Sequence, residues 1–145
     1  MRISKLEFKS RLREGYPGPI TFADFIVDGQ SLYDIYAEDF DFVSCLGWGS
    51  EEFQNEQISR LILMSKPDFP NGKNSIYICP ACADLGCGAV SLFIEMTKDI
   101  ITWTYIDGRG KLFDKQFTFH FDKQDYIDQI KGTYGLGGFK FPWEE

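Results

Sequence analysis

The densest group of reactive side chains is CPACADLGCG at 79–88, where Cys79 and Cys82 form a C-x-x-C and Cys87 follows five residues later. Thiolates this close can turn around a zinc ion, which takes four tetrahedral ligands. Three are local; the fourth would come from Cys45 or His120, both distant in sequence. A redox C-x-x-C instead stands at the start of a helix. Here the following residues are Gly-rich and then strand-like. A tight turn between two strands, with small and partly buried thiols, fits these residues better. Cys79, Cys82 and Cys87 stay as an alternative zinc site, and no cofactor is expected. Residues 1–20 lack the long apolar run of a secretory signal and read as mature sequence from Met1. A reducing cytoplasm and free thiols are therefore expected.

The single histidine, His120, lies opposite Phe117, Phe119 and Phe121 in an alternating run. No local spacing ties it to a nucleophile, so a half-exposed strand histidine is expected. LGCG, LGWG and GLGG lack the spacing of nucleotide-binding loops. Carboxylates are too abundant for any one pair to stand out as a catalytic acid and base. Asp39 and Asp41 lack the acidic loop pattern that holds calcium.

Charge is unevenly spread. Residues 1–13 hold Arg2, Lys5, Lys9, Arg11 and Arg13 against Glu7. From Glu14 to Ser59 there is no Lys or Arg, but ten acids: Glu14, Asp24, Asp28, Asp34, Glu38, Asp39, Asp41, Glu51, Glu52 and Glu56. A solvated, solubilising face is one meaning of such a run. A docking surface for a basic protein is the other. Asp34, Glu38, Asp39 and Asp41 are interleaved with Tyr33, Tyr36, Phe40 and Phe42, and aromatic anchors with a charged rim resemble the make-up of interfaces. Asp34, Tyr36, Glu38, Asp39 and Asp41 are assigned as partner-binding, within segment 33–42. Carboxylates there would speed encounter with a cationic partner.

These groups need elements to position them. Residues 5–12 alternate, with Leu6, Phe8 and Leu12 on one side, and read as a half-exposed strand. YPGP at 16–19 is a turn. Asp28–Gly29 between apolar runs predicts a hairpin with strands at about 21–27 and 30–36. Residues 37–49 read as a loop. Ser50 before Glu51 and Glu52 predicts a helix start and a helix over 51–59. Strands follow at 75–79, 89–96 and 100–107, the last two joined by Thr97–Lys98–Asp99. Asp107–Gly108–Arg109–Gly110 is a further turn before the run ending at Phe121. Asp122 caps a helix over 123–131 that stops at Gly132 as its C′ residue.

The class is α+β: mainly antiparallel sheet, about seven or eight hairpin-connected strands and two short helices. The 145 residues predict a single domain over 1–145, with aromatics at 17% to fill a core. A net charge of −7 argues against unaided binding to nucleic acid. The five N-terminal basic residues and the aromatics leave single-stranded nucleic acid as a lesser reading. No run is long and apolar enough for a membrane span.

Two stretches carry a family likeness. ITFADFIVDGQSLYD (20–34) and IYICPACADLGCGAVSLFIEM (76–96), the latter followed by IITWTYI, resemble a bacterial family with a CP-x-C-x-DLGCGA core. The chain is similar to immunity proteins of contact-dependent growth inhibition systems over most of residues 1–107. The resemblance implies a cytoplasmic, non-enzymatic protein that binds the C-terminal toxin domain of a cognate effector. Such toxins are often nucleases, and nucleases are usually basic. No residue roles come with the resemblance.

Overall fold

A computed structural model describes residues 1–81, 89–106 and 116–144. In chain order the elements are β1 (Leu6–Arg13), β2 (Ile20–Val27), β3 (Gln30–Ser31), a π-helical turn (Tyr33–Ala37), a 3-10 turn (Glu38–Phe40), β4 (Val43–Ser44), α1 (Glu51–Leu61), β5 (Asn74–Ile78), β6 (Ala89–Met96), β7 (Ile100–Ile106), β8 (Gln116–Asp122) and α2 (Lys123–Lys131). Among the described residues the strands form two antiparallel sheets, ordered β1-β2-β3 and β4-β5-β6-β7-β8. The α+β class is thus observed. No helix among the described residues is long and apolar enough to cross a membrane.

Local chemistry sets most boundaries. Asp28 and Gly29 both take positive φ (51° and 82°), as a two-residue hairpin turn demands, and Val27 pairs with Gln30 across it. The Asp28 carboxylate accepts the Lys5 N–H at 2.9 Å, fastening the hairpin to the start of β1. Ser50 Oγ accepts the Phe53 N–H at 3.0 Å, and Glu51 and Glu52 occupy the positive end of α1. Asp122 accepts the Asp125 N–H at 2.9 Å, so α2 starts directly off β8. The β6–β7 hairpin closes through Thr97–Asp99, with the Thr97 N–H on the Ile100 carbonyl.

Three expectations are corrected. The strand expected over 30–36 stops at Ser31, because Ser31 Oγ accepts the Asp34 N–H and the Asp24 carboxylate accepts the Tyr33 N–H. These bonds turn the chain out of the ladder. Leu32, Tyr33 and Ala37 are then buried at helical spacing, with Tyr36 half-buried. The loop expected over 37–49 contains the 3-10 turn and β4. Gly132 keeps helical φ (−66°), and the left-handed residue comes later, at Gly135. The turn expected at 107–110 and most of the cysteine turn at 79–88 lie outside the described residues.

The two sheets meet through rings. On β2, Phe25 packs edge-on against Tyr77 of β5 and Trp103 of β7, at 5.6 and 5.5 Å. Trp103 also meets Phe121 and Tyr126, and its indole N–H donates to the Tyr126 hydroxyl at 3.2 Å. That hydroxyl donates to the Leu61 carbonyl, so one buried chain of groups joins β7, α2 and the end of α1. Each such ring stabilises by roughly 1.5–3 kcal/mol on burial.

Candidate protein-docking surface

Segment 33–42 is fastened by two arginines of β1. Alternation along β1 puts Lys9, Arg11 and Arg13 on one face, and antiparallel pairing sets them beside Asp24, Phe22 and Ile20 of β2. The π-helical and 3-10 turns fold back over this face, with Tyr33 against Phe22 at 5.4 Å. The guanidinium of Arg11 lies 4.3 Å from the Tyr33 ring centroid and bridges two carboxylates: Asp34 at 2.8 Å and Asp24 at 3.3 Å. Arg13, itself buried, grips Asp41 by two nitrogens and donates to the Tyr16 carbonyl at 2.7 Å. The Arg13 hydrogen bonds hold the Asp41 carboxyl below the usual carboxylate range. Asp41 sits at φ 55°, where its N–H closes the 3-10 turn on the Glu38 carbonyl.

Asp24 is the centre of this arrangement. It is buried, with one oxygen accepting from the Tyr77 hydroxyl (2.7 Å) and the Tyr33 N–H, and the other from Ser31 Oγ (2.5 Å) and Arg11. A buried carboxylate needs this many partners, since an unpaired one is costly. Burial, with the Asp24 charge behind it, pushes the Tyr77 phenol well above its ordinary range. The Tyr77 phenol therefore stays neutral and donates its hydrogen bond to Asp24.

The five assigned residues fare differently. Asp34 is exposed but paired with Arg11, and Asp41 is exposed but paired with Arg13. Tyr36 is half-buried between Tyr105 and Phe117, at 5.4 and 5.3 Å, so it anchors the segment to the second sheet. Glu38 is exposed with no ion pair among the described residues. Asp39 lies in the backbone of the 3-10 turn. The segment brings all five together in sequence order, but its outward apolar groups are Ile35 (39% exposed) and Phe40 (37%). Phe40 also lines an open cleft with Tyr16, Asp41, Cys79 and Pro80. Ile35 and Tyr16 were missed as site residues. Only the helical spacing of Leu32, Tyr33, Tyr36 and Ala37 could have placed Ile35 outward.

The acid-only stretch is not a single face. Asp24 is interior, Asp28 pairs with Arg2 at 3.2 Å, and Asp34 and Asp41 are taken by Arg11 and Arg13. The folding of the two turns over basic β1 does this: of these acids only Asp24 lies on β2, while Asp34 and Asp41 reach Arg11 and Arg13 from the turns beyond it.

Of the cysteines, Cys45 is wholly buried, and burial pushes its thiol up to about 11. Its S–H faces the Ser75 carbonyl at 3.6 Å, the behaviour of an inert core thiol rather than a metal ligand. Cys45 and Cys79 are free thiols. Cys82 and Cys87, the other members of the alternative zinc set, lie outside the described residues. His120 is a half-exposed strand residue, its Nδ1 2.9 Å from Thr102 Oγ1 across the β7–β8 ladder. Comparison with protein-family models, with curated proteins and with solved structures found no match.

Proposed function

We propose that this chain is an immunity protein that binds and neutralises the C-terminal toxin domain, of nuclease type, of a contact-dependent inhibition effector. The reading is non-enzymatic and places the chain in the cytoplasm. Its partner is a basic protein domain, with no nucleic-acid ligand, no membrane and no cofactor. The observation that carries it is the presentation of segment 33–42. Two arginine clips and the Tyr36 anchor hold it in place, while Ile35, Phe40 and Glu38 face solvent. A pre-ordered apolar pair with an acidic rim loses little entropy on docking and suits a cationic partner. The resemblance of residues 20–34 and 76–96 to immunity proteins supports the same conclusion.

The test is binding to the toxin domain of the effector encoded beside this chain. The expected result is a one-to-one complex in which toxin activity is lost. F40A combined with E38K should weaken it by about tenfold or more, mostly through faster dissociation, with the fold intact. Unchanged affinity in that variant would move the interface elsewhere. Absence of any complex with the wild-type chain would overturn the function.

A further inference from the structure

Beside segment 33–42, where the first hairpin meets the second sheet, there is a pocket of about 260 Å³. Its floor is apolar: Val27 and Leu32 are buried, Tyr36 and Phe119 are half-buried, and Ile35 is exposed. Its mouth is polar, formed by Arg2, Asp28 and Gln30. Separate parts of the chain build it. The Asp28–Gly29 turn fixes the Asp28 carboxylate, one oxygen of which accepts the Lys5 N–H. The π-helical turn and the residue before it bring Leu32, Ile35 and Tyr36, and β8 brings Phe119. Arg2 arrives because the Ser4 N–H donates to the His120 carbonyl at 2.7 Å, which lays the N-terminal residues along β8.

The second Asp28 oxygen faces the Arg2 guanidinium at 3.2 Å, yet the Arg2 side chain is 78% exposed. Arg2 thus lends its charge to the mouth and leaves the floor uncovered. We propose that this pocket takes an arginine side chain of the toxin domain, which displaces Arg2 from Asp28 and lays its stem on the apolar floor. The source of that arginine rests on the immunity reading. The chain already holds a guanidinium between a ring and a carboxylate, at Arg11 with Tyr33 and Asp34. An arginine stem covers apolar surface while its head stays at a polar rim. Its planar head also stacks on rings such as Tyr36 and Phe119, which a strongly hydrated ammonium does less well. A purely apolar side chain would fill the floor but strip water from Asp28, Arg2 and Gln30 without replacing it. The exchange instead keeps an ion pair on Asp28, moves the charge of Arg2 away from a cationic partner, and adds the contact of the incoming stem. Ile35 makes the pocket continuous with the docking face of segment 33–42.

Two arms test this. In the first, Nα-acetyl-arginine methylamide is titrated into the full chain while the backbone amides of Val27, Asp28, Gln30 and Leu32 are followed by NMR. Saturable shifts with about millimolar affinity are expected, the scale for one side chain alone. The norleucine analogue, a similar stem without the guanidinium, should bind at least about fivefold more weakly. R2A should tighten the arginine probe by roughly threefold, since no resident guanidinium must leave. D28N should weaken it about fivefold or more. Asn tolerates the positive φ and can still accept the Lys5 N–H, so the turn survives. In the D28N background, R2A should bring no gain. Absence of saturable shifts in wild type and R2A overturns the proposal. So does a norleucine analogue that binds as well as the arginine probe, or an R2A gain that persists in D28N. Should D28N not fold, R2A and the two probes decide alone. In the second arm, D28N should weaken the toxin complex by about tenfold through faster dissociation, and R2A should slow dissociation. A toxin complex indifferent to both overturns the proposal while the immunity reading stands. Probe binding without any toxin complex overturns the immunity reading while the arginine pocket stands.

Discussion

Two acidic regions come from the same base-free stretch, and they are built in opposite ways. In segment 33–42 the carboxylates of Asp34 and Asp41 are tied to Arg11 and Arg13, and the buried Asp24 supports them from beneath. On the outer face of α1, Glu51, Glu52 and Glu56 are exposed and have no ion pair among the described residues. The one cation of that helix, Arg60, faces inward to Gln57, Asn74, Ser75 and Asp68. Paired acids act over a bond length as fasteners, because their field is cancelled at once. Unpaired acids act over about a Debye length, roughly 8 Å at physiological salt, and so shape approach rather than structure. Substitutions in the two regions should therefore fail in different assays.

The largest effect belongs to the fastened region. R11M removes the cation shared by Asp24 and Asp34 and leaves Asp24 buried with neutral donors only. Breaking a fully buried pair costs about 3–5 kcal/mol. The Arg11 side chain is 36% exposed, so screening reduces this to about 2 kcal/mol. The check is the urea midpoint, with D24N/R11M recovering part of the loss because no buried charge remains. An R11M chain as stable as wild type would mean that Tyr77, Ser31 and the Tyr33 N–H suffice for Asp24.

Acid should loosen the same region next. The Lys5 N–H holds the Asp28 carboxyl low, and the Arg13 hydrogen bonds hold that of Asp41 low. A carboxylate with a depressed folded pKa contributes stability above its unfolded pKa. That contribution disappears as pH falls through the folded value. Stability should hold down to about pH 4 and decline below it. The decline should be smaller than the R11M loss, because Asp41 is largely open to solvent. D28N should flatten part of this acid limb in a melting series, since the turn no longer exchanges a proton there.

The contrast also explains what could be seen in advance. The α+β class, both helices and the strands at β1, β2, β5, β6 and β7 followed from local signals: the Asp28–Gly29 turn, the Ser50 and Asp122 caps, and period-two runs. Those signals act within a few residues and need no partner. The arginine clips did not follow, because they depend on the register of β1 against β2 across a loop that does not dictate it. For the same reason the acid stretch read as one surface. Residues 32–36 read as the end of a strand, although Leu32, Tyr33, Tyr36 and Ala37 carry helical spacing, because the hairpin turn before them favours a longer return strand. The side-chain bonds from Ser31 and Asp24 that end it are tertiary facts.

The smallest stability effect, and the sharpest test of the contrast, lies on α1. Reversing Glu52 and Glu56 to lysine touches no hydrogen bond or ion pair among the described residues. Glu52 sits in the first turn, so its reversal forfeits about 0.3–1 kcal/mol of helix-dipole interaction; Glu56 should cost less. Folding should change little more than that. Association with a basic partner should nonetheless slow severalfold at low salt, and the slowing should fade as salt is raised. Dissociation should be unchanged, since these carboxylates steer and the 33–42 surface holds. A stopped-flow salt series separates the two. If the double reversal instead speeds dissociation at every salt concentration, α1 is itself part of the contact, and the division between fastening acids and steering acids is wrong.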